Sequence, residues 1–324
     1  MAVLSTSYPQ QAGDAAGHFV QSEVQQLARA GHDVHVFAPG AGAAAADGAS
    51  LHWLADHGAF GWPGASARLK ERPTRWLGAC AFALHAVRAL RQGAPFTRVQ
   101  AHFLVPSAWP IATLAFSAAR APALELIGHG SDVRAFCGLP KALRTHVARA
   151  WLQRRVQIRV TSAELADLLR AANPELADLL RVQPSPIDLN DAPTRSTARQ
   201  SLAIAESTQL ALIVARLVPE KRVAVALRAL SLLDELSITV VGDGPELASL
   251  RASFPGVRFT GRLSRPDTLR FIAAADVLVS ASANEGAPSV VREARALGVP
   301  VVCVAAGDLA AWAESDPGLL VVQS

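Results

Sequence analysis

The sequence predicts an α/β protein made of two tandem, doubly wound parallel sheets with a cleft between the two units. Three observations carry that prediction. Short β-branched runs alternate with amphipathic helical stretches along the 324 residues, which is how a parallel sheet flanked by helices is written. The alternation is interrupted once, by the proline-rich and polar stretch 181–198, and then restarts. The length exceeds one ordinary core and suits two.

In chain order, AVLSTS (2–7), DVHVFAP (33–39), RVQAHF (98–103), ALELIG (123–128) and VQIRVTS (156–162) read as strands. Helices fall between them near 17–30, 77–92, 107–119, 140–154 and 162–171, where apolar residues recur at helical spacing. Residues 40–75 carry no period and read as irregular. After the break, QLALIVAR (209–216), SITVVG (237–242), VRFTG (257–261), DVLVSA (276–281), PVVCV (300–304) and GLLVV (318–322) read as strands. The helices near 219–234, 245–253, 266–275 and 289–297 separate them. The domains expected are 1–186 and 199–324, with 187–198 as linker.

Half of the residues are hydrophobic, much of that alanine, and 18% are charged, a globular rather than a disordered composition. Cys80, Cys137 and Cys303 form no CxxC pair, so neither a disulfide framework nor a zinc site is expected and a reducing cytoplasm fits. The start, MAVLSTSYPQ, lacks the basic n-region of a secretory signal. The longest uncharged stretch, 103–119, holds Pro106 and Pro110, falls short of a ~20-residue membrane span and reads as a buried helix.

Net charge is +4. Residues 134–159 hold seven cations and no acid. Such a run suits phosphates, an anionic membrane surface or a solvated helix face equally. It is too dilute, and too poor in aromatics, for nucleic-acid binding.

Open sheets of this kind bind ligands beyond the carboxyl ends of their strands. Four loops there hold residues suited to a sugar diphosphate. In "NEGAPSVVREARALG", Glu285 lies on a loop and Glu293 one turn into a helix that begins at Ser289. The first amides of that helix, Ser289 and Val290 among them, favour a phosphate. A carboxylate can accept from two adjacent hydroxyls, as a sugar presents; two glutamates at this spacing are also frequent by chance. In "VARLVPEKR", Arg216 ends a strand and Lys221 opens a helix. Two cations there match a diphosphate, although on their own they read more readily as an exposed pair at a helix start. "VVGDGPELASL" is a strand, a glycine turn and a helix. His129 follows the strand ALELIG directly, where a lone histidine is more often structural than functional, and Asp132 orients a neighbour, contacts the acceptor or caps the next segment. His102, at another strand end, has the same two readings.

In order and spacing, "STSYPQQAGDAAGHFVQSEVQQLARAGHDVHVFAP", "AHFLVP", "IGHGSDV", "VARLVPEKR", "VVGDGPEL", "FTGRLSRPDTLRFIAAADVLVSAS" and "NEGAPSVVREARALGVPVV" together resemble the family 4 glycosyltransferases. The resemblance implies the GT-B fold and a retaining, hexosyltransferase-type enzyme. Its donor would be a nucleotide-diphosphate sugar, UDP- or GDP-linked, and its acceptor a sugar or lipid-linked molecule of glycan, glycolipid or polysaccharide biosynthesis. It implies that Glu293 holds the ribose and Glu285 the transferred sugar, that Arg216 and Lys221 hold the diphosphate, and that His129 stands beside the reacting centre. No resident cofactor is implied. The sequence has no D-x-D motif, so donor binding is expected to need no metal.

The family's Gly-Gly pair in the first loop is here Gly13-Asp14, which keeps one glycine for the donor phosphate and adds a carboxylate that a phosphate avoids. Family members also continue for several helices beyond the point where this chain ends at Ser324, so the resemblance implies an incomplete second unit. A sugar-nucleotide epimerase of the same fold and a non-catalytic nucleotide-binding module are the rival readings. The place expected is the cytoplasm or the cytoplasmic face of a membrane.

Overall fold

The computed structural model describes the whole chain except residues 12–13, 15, 43–47, 62–64, 94, 117–121, 191 and 324 and the side chains of 66, 67 and 70. It divides between Pro186 and Ile187 into two units, each with its own parallel sheet.

The first unit runs β1 (Ala2–Leu4), α1 (His18–Arg29), β2 (Val34–Pro39), β3 (Ala49–Leu54), α2 (Ala65–Glu71), α3 (Arg75–Gln92) and β4 (Arg98–His102). A kinked, wide-turn segment, Leu104–Ala112, leads into α4 (Thr113–Ala115), β5 (Ala123–Gly128), α5 (Ser131–Cys137), α6 (Lys141–Gln153), β6 (Gln157–Val160), α7 (Ala163–Ala172) and β7 (Leu180–Val182). The strand order is β3-β2-β1-β4-β5-β6-β7. The chain winds outward from β1 to β3 and then outward the other way from β4, so the direction reverses between β1 and β4. Right-handed crossovers therefore put α1 on one face of the sheet and α3 to α7 on the other. The cores agree with that division. Val3 packs with Val20, Val24 and Val34 on the α1 face, while Leu126 and Ile158 share a cluster with Phe82, Trp151 and Leu165. Gln100 is the register partner of Val3, and alternation brings Glu125 and Arg159 to the same face. There Arg159 pairs with Glu23 of α1 and lies 3.4 Å from Glu125, in a polar cleft of about 820 Å³.

The second unit runs α8 (Arg195–Ser201), β8 (Gln209–Val214), α9 (Val223–Leu230), β9 (Leu236–Val241), α10 (Leu247–Ser253), β10 (Arg258–Gly261), α11 (Arg265–Ala274), β11 (Val277–Ser280), α12 (Ser289–Ala296), β12 (Val301–Val304), α13 (Leu309–Ala313) and β13 (Leu319–Val322). Its order, β10-β9-β8-β11-β12-β13, reverses direction between β8 and β11.

Four local differences from the sequence reading have physical causes. The stretch 107–119 is no regular helix: Val105 and Trp109, each followed by a proline, are extended (φ −129°, ψ 126° and φ −127°, ψ 129°), as the proline ring demands of the residue before it. The helix expected at 219–234 is a short turn, Pro219–Lys221, followed by α9, because Arg222 turns left-handed at φ 48° between them. Strands β3 and β7 lie in stretches read as irregular or as linker; β3 is a half-exposed edge without a β-branched residue, and β7 has three residues. The end of the expected linker is α8, capped by the Thr194 side chain.

Arg199 of α8 has no exposed surface. It donates to the carbonyls of Ala274, Ala205, Glu206 and Thr208 and to Asp276, which also accepts from the Leu210 amide and from Arg195. One guanidinium thus fastens α8, α11 and the start of β8 together. Arg199→Met should lower the unfolding free energy by about 3–5 kcal/mol, since it strands buried acceptors. Arg170→Ala, which breaks an exposed pair with Asp167, should change it by less than about 1 kcal/mol. Urea unfolding of the two variants measures both.

Candidate active site

In the second unit, the loops after β8, β9, β11 and β12 gather at the carboxyl end of the sheet, around its switch point. Lys221 and Glu285 meet there: Nζ lies 2.5 Å from Oε1, with both side chains largely buried. The Ala283 amide donates to the Glu220 carbonyl (2.9 Å), so the two loops are joined by backbone as well. Arg216 is exposed just beyond β8. Its loop is held against the next by Leu217 N–H to the Asp243 carbonyl (2.9 Å) and Glu246 N–H to the Leu217 carbonyl (3.1 Å). That approach requires glycine. A Cβ on Gly242 would stand 1.8 Å from the Ala215 carbonyl oxygen, and one on Gly244 would stand 2.4 Å from that of Leu217. Gly307 packs in the same way on the Glu285-Gly286 backbone.

Ser289 and Val290 begin α12, where no earlier turn supplies acceptors for the first amides. Glu293 is only 2% exposed. Its Oε2 lies 2.8 Å from Arg265 Nη1, while Arg265 Nη2 donates to the Asp188 carbonyl at 3.1 Å. Arg265 is the residue that sequence reading missed. It opens α11, 28 residues before its partner, and no spacing rule joins the two.

In the first unit, His129 sits at the end of β5 between Phe19 and Phe103, whose ring centroids lie 4.7 and 4.8 Å away. It stacks on His102 at 9° between planes, with His129 Nε2 3.1 Å from His102 Nδ1. Burial, and then the Arg159 charge, pushes the His129 imidazole down to about 3. Burial, His129 and Arg159 hold His102 well below its usual range. Both rings are therefore neutral near pH 7, and one of the two facing nitrogens must donate. Asp132 turns out to be a loop clamp. Its carboxylate accepts the backbone N–H groups of His129, Gly130 and Leu104 (2.9, 2.9 and 2.7 Å). Asp14 likewise accepts the amides of Gln10 and Ala16. Gly13 lies outside the described residues.

The basic run 134–159 does not form one charged face. Arg134 pairs with Glu164, Arg144 donates to the carbonyls of Cys137 and Leu139, Arg154 donates to that of Thr113, and Arg159 is buried. Among the described residues no group of three or more His, Cys, Asp or Glu side chains is arranged to hold a metal, and no helix is long and apolar enough to cross a membrane.

Residues 194–323 match the family described as Glycosyl transferases group 1. The second unit belongs to the group 1 glycosyl transferases. TuaC of Bacillus subtilis (strain 168), a glycosyltransferase assigned to teichuronic acid biosynthesis, is 31% identical over 228 residues, 69% of this chain and 57% of TuaC. A GDP-mannose-dependent alpha-mannosyltransferase of Mycolicibacterium smegmatis is 38% identical over 94 residues, 29% of this chain and 25% of that protein. The chain thus spans little more than half of one curated relative and a quarter of the other. Among solved structures, sucrose-phosphate synthase from Thermosynechococcus elongatus gives a TM-score of 0.72 at 18% identity, over 95% of this chain and 82% of that one. The Anabaena protein Alr3699/HepE, solved with UDP and glucose, gives 0.66 at 18% identity, over 95% and 81%. The fold is the two-sheet α/β arrangement of GT-B glycosyltransferases.

The depressed histidines make the stability of the first unit sensitive to acid. The unfolded chain takes up protons below the ordinary imidazole value of about 6.5, whereas the folded first unit does not. Stability should be full above pH ~6.5 and fall progressively as the pH drops from there toward about 3. His129→Gln should flatten that slope, as urea midpoints at pH 7 and pH 5 would measure.

Proposed function

We propose that this chain transfers a sugar from a nucleotide-diphosphate sugar to a hydroxyl acceptor, with retention of anomeric configuration and without a metal ion. The biosynthesis of a glycan, glycolipid or polysaccharide is its setting. The observation that carries the reading is the meeting of Lys221 with Glu285 at the switch point of the second sheet. Transfer breaks the bond between the anomeric carbon and a phosphate oxygen, so the group most in need of stabilisation is the departing diphosphate. Lys221 and Arg216 bring positive charge to the end of β8. The first amides of α12, at Ser289 and Val290, add the partial charge of a helix N-terminus.

Glu285 would accept hydroxyls of the transferred sugar while its second oxygen stays with Lys221. Glu293, paired with Arg265 through Oε2, would hold the ribose diol. His129, neutral at working pH, would serve the reacting centre as a hydrogen-bonding group rather than as a charged acid. The acceptor proton then passes to the leaving phosphate on the same face of the sugar. The GDP-mannose named for the mycobacterial relative and the UDP bound to HepE support a nucleotide-sugar donor.

A melting-shift panel with UDP-, GDP-, ADP- and TDP-sugars tests the reading, and one nucleotide class should raise Tm. No shift with any of the four would overturn it. With that donor, Lys221→Ala should raise Kd tenfold to a hundredfold, the loss of roughly 1.5–3 kcal/mol expected for a charge-assisted bond. His129→Ala should chiefly lower kcat. EDTA should leave turnover unchanged, and NMR of the product should find the anomeric configuration of the donor. Activity abolished by EDTA and restored by Mn²⁺ would overturn the metal-free mechanism.

A further inference from the structure

His102 is a buried polar residue that the proposed transfer chemistry does not use. It closes β4 and has no exposed surface, and its ring plane lies 9° from that of His129. Its Nδ1 faces His129 Nε2 at 3.1 Å, a hydrogen-bonding distance. The partner ring is hemmed in by Phe19 and Phe103. Phe103 is brought there by a backbone turn with φ 75°, a conformation that bulky residues rarely adopt. In a fixed pair of neutral rings, one of the two facing nitrogens carries a proton and the other accepts it.

Two arrangements exist, and the far nitrogen of His102 separates them. His102 Nε2 is buried and has no hydrogen-bond partner among the described residues. If His129 gave the proton, His102 would carry its own on Nε2, a buried N–H with nothing to bind. A buried N–H without an acceptor is rarer and costlier than an under-used acceptor. If His102 gives the proton, Nε2 keeps only a lone pair. The neighbouring charge adds to that preference. Register runs from His102 through Ile127 to Arg159 across β4, β5 and β6, which sets the three in one row on one face. The guanidinium charge reaches both rings, and a positive charge favours a lone pair beside it over an N–H. His129 then accepts through Nε2 and carries its own proton on Nδ1. With Nε2 committed, Nδ1 is the nitrogen left for a substrate, and His129 keeps partial exposure where His102 has none.

We propose that His102 is a positioning residue: by donating from Nδ1 to His129 Nε2 it fixes His129 as an Nδ1–H donor, so that His129 gives a hydrogen bond to a substrate oxygen and does not take the acceptor's proton. The tautomer follows from the geometry alone, whereas what His129 meets rests on the transferase reading. The acceptor hydroxyl must then lose its proton elsewhere, which agrees with its passage to the leaving phosphate.

Two-bond proton–nitrogen NMR of the whole chain with isotope-labelled histidine, at pH 7 and without substrate, tests the assignment. His102 and His129 should both show a protonated Nδ1 and a bare Nε2. A proton on Nε2 of either ring would overturn it. Kinetics test the consequence. His102→Phe keeps a ring and removes the donor; it should lower kcat roughly tenfold, the strength of about one hydrogen bond. The donor KM should stay unchanged, and the His129 proton should appear on Nε2. His102→Asn, whose amide N–H can stand in for Nδ1–H, should restore most of kcat and the wild-type tautomer. Circular dichroism melts identify the variants that fold. Wild-type kcat in folded His102→Phe, or an equal loss in folded His102→Asn, would overturn the positioning role and leave the transferase reading in place. The NMR result needs no donor to be turned over, so a failure of the transferase reading is told apart from a failure of this one.

Discussion

A strand in a parallel sheet delivers the chain to the same end as its neighbours, and the right-handed crossover decides which way the chain then turns. Everything functional in this molecule follows from that constraint. In each unit the chain winds away from a first strand and later returns to that strand's other side, to β11 in the second unit and to β4 in the first. The loops that leave the two central strands must therefore part, and the gap they leave is lined by whatever residues end those strands. In the second unit those residues are a lysine and a glutamate 64 positions apart, brought to 2.5 Å. In the first they include His102, at the end of β4, against which His129 of the neighbouring strand stacks.

Holding such loops in place requires close backbone approach, and side chains are what the molecule gives up to obtain it. Gly242, Gly244 and Gly307 each stand where a Cβ would meet a carbonyl oxygen of the neighbouring loop at less than 3.0 Å. In the sequence Gly242 and Gly244 read as turn-making residues; the structure gives all three glycines the task of seating one loop on another. Asp132 is a parallel case. Its carboxylate accepts three backbone N–H groups, and burial pushes it up. The carboxylate shapes the His129 loop.

Buried charge recurs as a device in both units: Arg199 with Asp276, Arg265 with Glu293, Arg159 with Glu23 and Glu125. Each pair joins elements far apart in sequence. Such pairs stabilise a protein little compared with apolar packing, yet are costly to break, so they fix arrangement more than they add stability. Arg159 also acts at a distance, since its charge helps to keep both histidines neutral.

The sequence by itself determined the alternation of strand and helix, the restart after the proline-rich stretch, and the placing of Glu285, Lys221, Arg216 and His129 at strand ends. All of these follow from local periodicity and turn chemistry, which a linear reading samples directly. Only the tertiary structure decided that Lys221 reaches Glu285, that Arg265 takes an oxygen of Glu293, that His102 stacks on His129, and that Asp132 serves the backbone. The first three are contacts across tens of residues, set by strand order and register, and nothing in the local pattern encodes them. The same limit hid β3 and β7, edge strands too short or too exposed to show an apolar period.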